Sequence, residues 1–164
     1  MQYQILMKQF GYFAYSGLGI AYREIGEFDN ALKNIDEAIK IDPSEASIHL
    51  YRGNIHRVKG DLDEAIADYD EAIRLQPDED FRFHLAIAST SKQLGKGYSP
   101  DYNEKARLIM SEDDWYNHAC LESVCDNFDL AFEYLQKATE SDDFDPEWAW
   151  KDLDLQWIRM IPGL

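Results

Sequence analysis

Residues 19–43 read GIAYREIGEFDNALKNIDEAIKIDP, and residues 53–77 read GNIHRVKGDLDEAIADYDEAIRLQP. The second stretch is the first displaced by 34 residues. Gly19 falls on Gly53, Gly26 on Gly60, Ala31 on Ala65, Ala38 on Ala72 and Pro43 on Pro77, and Glu37-Ala38-Ile39 returns as Glu71-Ala72-Ile73. A fixed period of this length means stacked supersecondary units, not one closed globule around a catalytic cleft.

Working outward, each period contains two helical patterns. Tyr15, Leu18, Gly19, Tyr22 and Ile25 recur at three-and-four spacing, which predicts a helix over Tyr12–Ile25. A turn at Gly26-Glu27 leads into a helix over Phe28–Ile41, with Phe28, Ala31, Leu32, Ile35, Ala38 and Ile39 on one face. Asp42-Pro43 ends it, because proline cannot donate to the helical ladder and disfavours helical geometry before it. The second unit repeats the plan with Ala46–Lys59, Gly60-Asp61, Leu62–Leu75 and Gln76-Pro77. A third, degenerate unit runs from Phe81–Leu94 through a stretched turn, Gly95 to Pro100, into Asp101–Met110. That insertion reads as a tolerated surface loop, with a functional loop as the alternative. The fourth unit places Trp115, Ala119, Phe128, Ala131, Leu135 and Ala138 at the same offsets, on helices over Asp113–Cys125 and Asn127–Glu140. It stops between Asp142 and Pro146. Beyond lies a segment carrying Trp148, Trp150 and Trp157.

Composition narrows the function. The 164 residues are 45% apolar, enough for a continuous core. Thirty-two acidic residues against 16 basic ones give a net charge of −16, and no basic patch stands apart. Such a field disfavours nucleic acid and anionic lipid surfaces, where binding depends on clustered Lys and Arg. No charged leader precedes an apolar run and no 18-residue apolar stretch occurs, so a cytoplasmic protein without membrane insertion is expected. Cys120 and Cys125, five apart, suit neither a disulfide framework nor a zinc knuckle and read as small helical residues.

The chain offers little to an enzyme. Gly17-Leu18-Gly19 lies inside a helical pattern and is explained by close packing, not by phosphate binding. His49 and His56 occupy repeat positions, His84 and His118 are remote from them, and no carboxylate-histidine spacing resembles a metal motif. Asp36-Glu37 and Asp70-Glu71 recur at the repeat period, as a solvated outer face would. No catalytic residue, metal ligand or cofactor is expected.

These residues resemble the tetratricopeptide repeat family, whose pattern of aromatic, Leu-Gly, Tyr, Ala, aromatic and Pro appears as Tyr15, Leu18-Gly19, Tyr22, Ala31, Ile35 and Pro43. In the second unit it appears as His49, Arg52-Gly53, His56, Ala65, Tyr69 and Pro77; Arg52 replaces a leucine and His56 a tyrosine. The end of the chain is similar to the closing segment of many bacterial repeat proteins of this kind. There the tryptophans cover an open apolar end, with a ligand-stacking aromatic cluster as the alternative. The resemblance implies an all-α, right-handed superhelix forming a single domain over 1–164. Its repeats would run at about 12–45, 46–79, 80–111 (degenerate) and 112–145, closed by a capping helix at 146–161.

The resemblance further implies a concave face lined by the first helix of each unit. Its partner-binding candidates are Phe13, Ile20, Arg23, Leu50, Tyr51, Asn54, Arg57, Leu85, Lys92, Tyr116 and Asn117. Arg23, Arg57 and Lys92 fall at one repeat position; they read either as a ladder for an acidic peptide or as cations that meet negative helix ends. The family's carboxylate clamp for chaperone tails is absent, because Ser16, Ile20 and Tyr51 stand at its first positions and Phe81 or Arg82, with Leu85 or Ala86, at its last. The expected function is a non-catalytic scaffold or adaptor gripping a peptide or helix of a partner protein. The alternative is a homo-oligomer, a self-associating module that pairs through end helices including Met1 to Phe10.

Overall fold

The computed structural model describes residues 2–77, 80–96, 100–141 and 144–160. Those residues form ten helices: α1 (Gln2–Glu24), α2 (Phe28–Ile41), α3 (Ala46–Lys59), α4 (Leu62–Leu75), α5 (Phe81–Gln93), α6 (Pro100–Ile109), α7 (Trp115–Val124), α8 (Phe128–Ala138), α9 (Pro146–Lys151) and α10 (Gln156–Arg159), with a 3-10 turn over Leu153–Leu155. The chain divides into two compact units at Pro77/Asp78. The tip of the stretched turn (Gly97 to Ser99), Asp142 and Ile161 lie outside the described residues.

The first unit is two helical hairpins, α1 with α2 and α3 with α4. Small residues set how closely each pair crosses. A Cβ at Gly19 would lie 2.5 Å from Ile35 Cδ1, and one at Gly53 would lie 2.4 Å from Tyr69 Cε1, so both hairpins close on a ring or branch with no room for a methyl. Ala31, Ile35, Ala38, Ile48 and Ile55 form a core around which Tyr12, Tyr22, Phe28, Leu32, Ile39 and Tyr51 pack. The predicted bounds of α2, α3 and α4 coincide with the observed ones, whereas α1 starts ten residues ahead of the predicted Tyr12. Gly11 abuts Ile41 at the end of α2, at 3.2 Å from a Cβ placed there. The first turns of α1 therefore run on past the helix that covers the rest.

All four hairpins turn the same way. Gly26, Gly60, Gly95 and Asp126 take positive φ, and their amides donate to Arg23, Arg57, Lys92 and Ser123 while the next residue donates five back, to Tyr22, His56, Ser91 and Glu122. This paired closure ends a helix with a left-handed residue, which glycine accepts freely. The third repeat, degenerate by sequence, thus keeps the hairpin turn, and its insertion begins only after Lys96.

In the second unit α5 pairs with α6 and α7 with α8. Leu85, Ala88, Ala106, Met110, Ala119, Leu121, Val124 and Ala131 share one core with Ala149, Leu155 and Ile158 of the closing segment. Of the three tryptophans expected to cover this core only Trp157 packs against it, whereas Trp148 and Trp150 are exposed; Ala149, Leu155 and Ile158 supply the contact, on three short pieces instead of the single capping helix predicted. Asp152 is extended (ψ 125°) and its carboxylate accepts the Asp154 amide, which breaks α9 and restarts the chain as a 3-10 turn. Arg159 donates to the carbonyls of Trp150 at 2.6 Å and Asp152 at 2.9 Å, holding the break in place.

Candidate functional site

In the first unit, α1 and α3 place Phe13 in solvent and Ile20, Tyr51 and Asn54 half-buried. Leu50 and Arg57, 4% and 8% exposed, are packed away from solvent. Asn54 is already engaged, because its Oδ1 accepts the Tyr69 phenol at 2.9 Å; only its amide NH2 is left for a ligand. Arg23 pairs with Glu24.

Arg52, at the position where the family carries leucine, reaches in both directions from α3. It donates to Asp68 of α4 at 2.6 Å and to Asp36 of α2 at 2.9 Å. Asp68 is 5% exposed, so the guanidinium neutralises a carboxylate that the fold takes out of water. Asp36, read as part of a purely solvated outer face, is half-buried and joins this network because its helix turns it toward α3. Two histidines are structural: His49 Nε2 donates to the Pro43 carbonyl at 3.3 Å, and His118 Nε2 to the Ser111 carbonyl at 3.0 Å, a similar bond in two repeats.

In the second unit Leu85 is core, 4% exposed. Lys92 is committed too. Its ammonium donates to the Ser123 and Val124 carbonyls at 3.2 and 2.9 Å and to Asp126 at 2.6 Å, and lies 4.5 Å from the centre of the Trp157 ring. A cation thus meets a negative helix end, as one reading expected, but the end is that of α7 and not of its own helix. Of the three ladder positions, Lys92 and Arg23 have intramolecular partners and Arg57 is buried, which leaves no row of free cations for an acidic peptide. Burial holds the Cys125 thiol above its ordinary pKa, with Glu122 adding to the effect, the opposite of an activated thiolate.

Tyr116 and Asn117 behave differently. They line an open cleft of about 480 Å³ together with Trp115, Phe144 and Trp148, rimmed by Asp113, Asp114 and Asp145. Local sequence builds it. Asp114 caps α7 and accepts the Asn117 amide group at 2.9 Å; Asp145 caps α9 through the Glu147 and Trp148 amides, with Pro146 in the first turn. The caps carry Tyr116 and Trp148 to ring centroids 5.0 Å apart, with Phe144 6.3 Å from Tyr116. The Tyr116 phenol donates to Asp152 at 2.7 Å, and burial raises its pKa far above the tyrosine range, so it stays a donor. Asp113 is held below the usual carboxylate range by the Ser111 hydroxyl and remains an anion. Lys137 Nζ lies 4.9 Å from the centre of the Trp115 ring, an internal instance of a cation on this aromatic wall. Asp114, Asp145 and Phe144 were not singled out from sequence. Their signal was the density of aromatic and aspartate residues around both caps, which no periodicity argument reads.

Paired helices, the first of each pair ended by the same left-handed turn, define a helical-hairpin repeat protein. Residues 17–80 match the tetratricopeptide repeat family model, and the fold is that of tetratricopeptide repeat proteins. Solved structures of the same fold include MamA (19% identity, TM-score 0.57, 77% of this chain and 70% of that one). They also include the complex of the yeast Sti1 TPR2B domain with pHsp70 (21% identity, TM-score 0.56, 78% and 98%). A third is YrrB, a TPR protein with an unusual peptide-binding site (19% identity, TM-score 0.53, 87% and 80%). Curated protein sequences yield no match. Among the described residues no helix is long and apolar enough to cross a membrane.

Proposed function

We propose that the chain is a non-catalytic interaction module that grips a peptide or helix of a partner protein, anchoring one side chain in the cleft between the start of α7 and the closing segment. The observation that carries this reading is the cleft itself: four aromatic side chains line it beneath a rim of three aspartates, and Trp148 stays 56% exposed. Aromatic walls under an acidic rim favour a lysine or arginine side chain, which gains from the ring faces and from the carboxylates together. This replaces an acidic ligand with a basic one, in keeping with the net charge of −16. In the first unit, Phe13, Ile20 and Tyr51 supply the apolar contacts of the same kind of grip. Two proteins of this fold are described with a bound partner or a peptide site, which supports the class of ligand and not its identity.

The test is selection of peptides from a random display library against the full chain, followed by titration of the selected peptides. Selected sequences should carry Lys or Arg, and Trp148→Ala should weaken them about tenfold or more, the loss of roughly 1.4 kcal/mol. Peptides that bind equally to Trp148→Ala, Tyr116→Phe and Tyr51→Ala proteins would refute the reading.

A further inference from the structure

The outward face of α1 carries a seam whose residues, apart from the half-buried Ile20, are exposed. Tyr3, Leu6, Phe10, Phe13, Gly17 and Ile20 alternate at spacings of three and four, the repeat that keeps one stripe of a helix facing a second helix. Tyr3 is 75% exposed, Phe10 64% and Phe13 67%. The opposite face, with Gly11 against Ile41 and Gly19 against Ile35, is the one that meets α2. Gly17 is the telling residue. A Cβ there would meet nothing within 4 Å, so the hairpin does not require a glycine at this point, although one in a helix interior costs about 1 kcal/mol relative to alanine.

The seam is also graded in size. Its first half is bulky, with Tyr3, Leu6, Met7 and Phe10, whereas in its second half Phe13 and Ile20 are flanked by small exposed residues, Ala14, Gly17 and Ala21. Two copies laid antiparallel set one half on the other: Leu6 enters above Gly17 of the second copy, Tyr3 meets Ile20, and Phe10 meets Phe13 beside the two-fold axis. A two-fold interface requires such self-complementarity, each residue's partner contacting it in return. Charge selects the same face. Residues 1–23 contain no Asp or Glu, only Lys8 and Arg23, in a chain with 32 acids. Two molecules of net charge −16 repel over most of their surfaces, and along this seam no carboxylates oppose each other.

We propose that α1 pairs with α1 of a second copy as an antiparallel two-helix seam centred between Phe10 and Phe13, with Gly17 admitting Leu6 of the other molecule. The seam includes Phe13 and Ile20, so a dimer withdraws the α1 part of the first unit's ligand face. The pairing does not rest on the peptide-binding reading, and the two fail separately. Trp148→Ala addresses ligand without touching mass, and the seam variants address mass without touching the cleft.

Sedimentation equilibrium of the full chain over roughly two decades of concentration tests it. The weight-average mass should climb from 19.1 kDa toward twice that value. Phe10→Glu, and separately Gly17→Leu, should weaken dimerisation at least about tenfold with unchanged helical circular dichroism, since both positions are open to solvent. Exchanging sizes in one chain, Leu6→Ala with Gly17→Leu, should restore affinity to within about threefold of the original. A constant mass of 19.1 kDa overturns the proposal, as does a dimer indifferent to Phe10→Glu and Gly17→Leu. Failure of the exchange to restore pairing overturns the antiparallel register.

Discussion

Three glycines in the first unit look alike in sequence, and space separates them. Gly19 and Gly53 lie under Ile35 and Tyr69, whereas Gly17 faces nothing. Gly53→Ala should therefore destabilise the protein by about 1–3 kcal/mol, because the buried Tyr69 ring must move from a phenol bond it holds with Asn54. Gly17→Ala should stabilise the isolated chain by about 0.5–1 kcal/mol through helix propensity alone. Urea midpoints at low protein concentration measure both, and equal shifts of one sign would contradict the packing account. Arg52 gives a second residue-scale prediction. Arg52→Leu restores the family's usual residue yet strands Asp68 in the interior, and should cost about 2–3 kcal/mol. Arg52→Leu with Asp68→Leu should recover most of that loss, because the only carboxylate left without Arg52 is Asp36, which is half in solvent. A double variant no more stable than the single one would show that Asp68 does not need its partner.

At the scale of elements, side chains from distant parts of the chain secure the ends of α7 and α9. Lys92 of α5 closes α7, Tyr116 of α7 ties down the break at Asp152, and Arg159 holds that break from the far side. The Tyr116 bond makes a pH prediction. Burial raises the folded-state pKa of this phenol above its unfolded value near 10. The unfolded chain therefore releases the proton first, and the stability the phenol contributes is complete below pH 10 and is lost as pH rises beyond it. Urea midpoints should fall above pH 10, and Tyr116→Phe should flatten that limb while costing about 1 kcal/mol at neutral pH. Tyr12, whose pKa burial also raises, accounts for the residual slope. An alkaline limb identical in Tyr116→Phe would remove the phenol from the account.

For the molecule as a whole, charge is the dominant fact. With −16 spread over 164 residues, self-repulsion opposes compaction, and salt screens it within about 10 Å at 0.1 M. The thermal midpoint should rise between low and roughly 0.5 M sodium chloride, and dimerisation along α1 should strengthen over the same range. A falling midpoint would mean that attractive pairs such as Arg52 with Asp68 outweigh the net field. The bounds of α2, α3 and α4 were legible because periodicity, a positive-φ turn residue and proline agree at each end. The start of α1 was not, because residues 2–10 lie outside the repeat and only their seam spacing marks them as helix. Tyr116 and Asn117 were legible as site residues, whereas Asp145 and Phe144 were not. A cleft depends on where a cap folds back, and repeat offsets carry no information about it.

The sequence by itself determined the repeat: 34-residue spacing, small residues at the crossings and a shared turn are local constraints, each satisfied within one hairpin. Only the tertiary structure decided which repeat positions stay available. Leu50, Arg57, Leu85 and Lys92 occupy the same kind of position as Phe13 and Tyr116, yet the first four are buried or committed and the last two line open surfaces. The physical reason is that exposure and pairing depend on what a neighbouring helix brings to the same point in space. Residues thirty or more positions apart, such as Lys92 with Val124 or Tyr116 with Asp152, settle that between them.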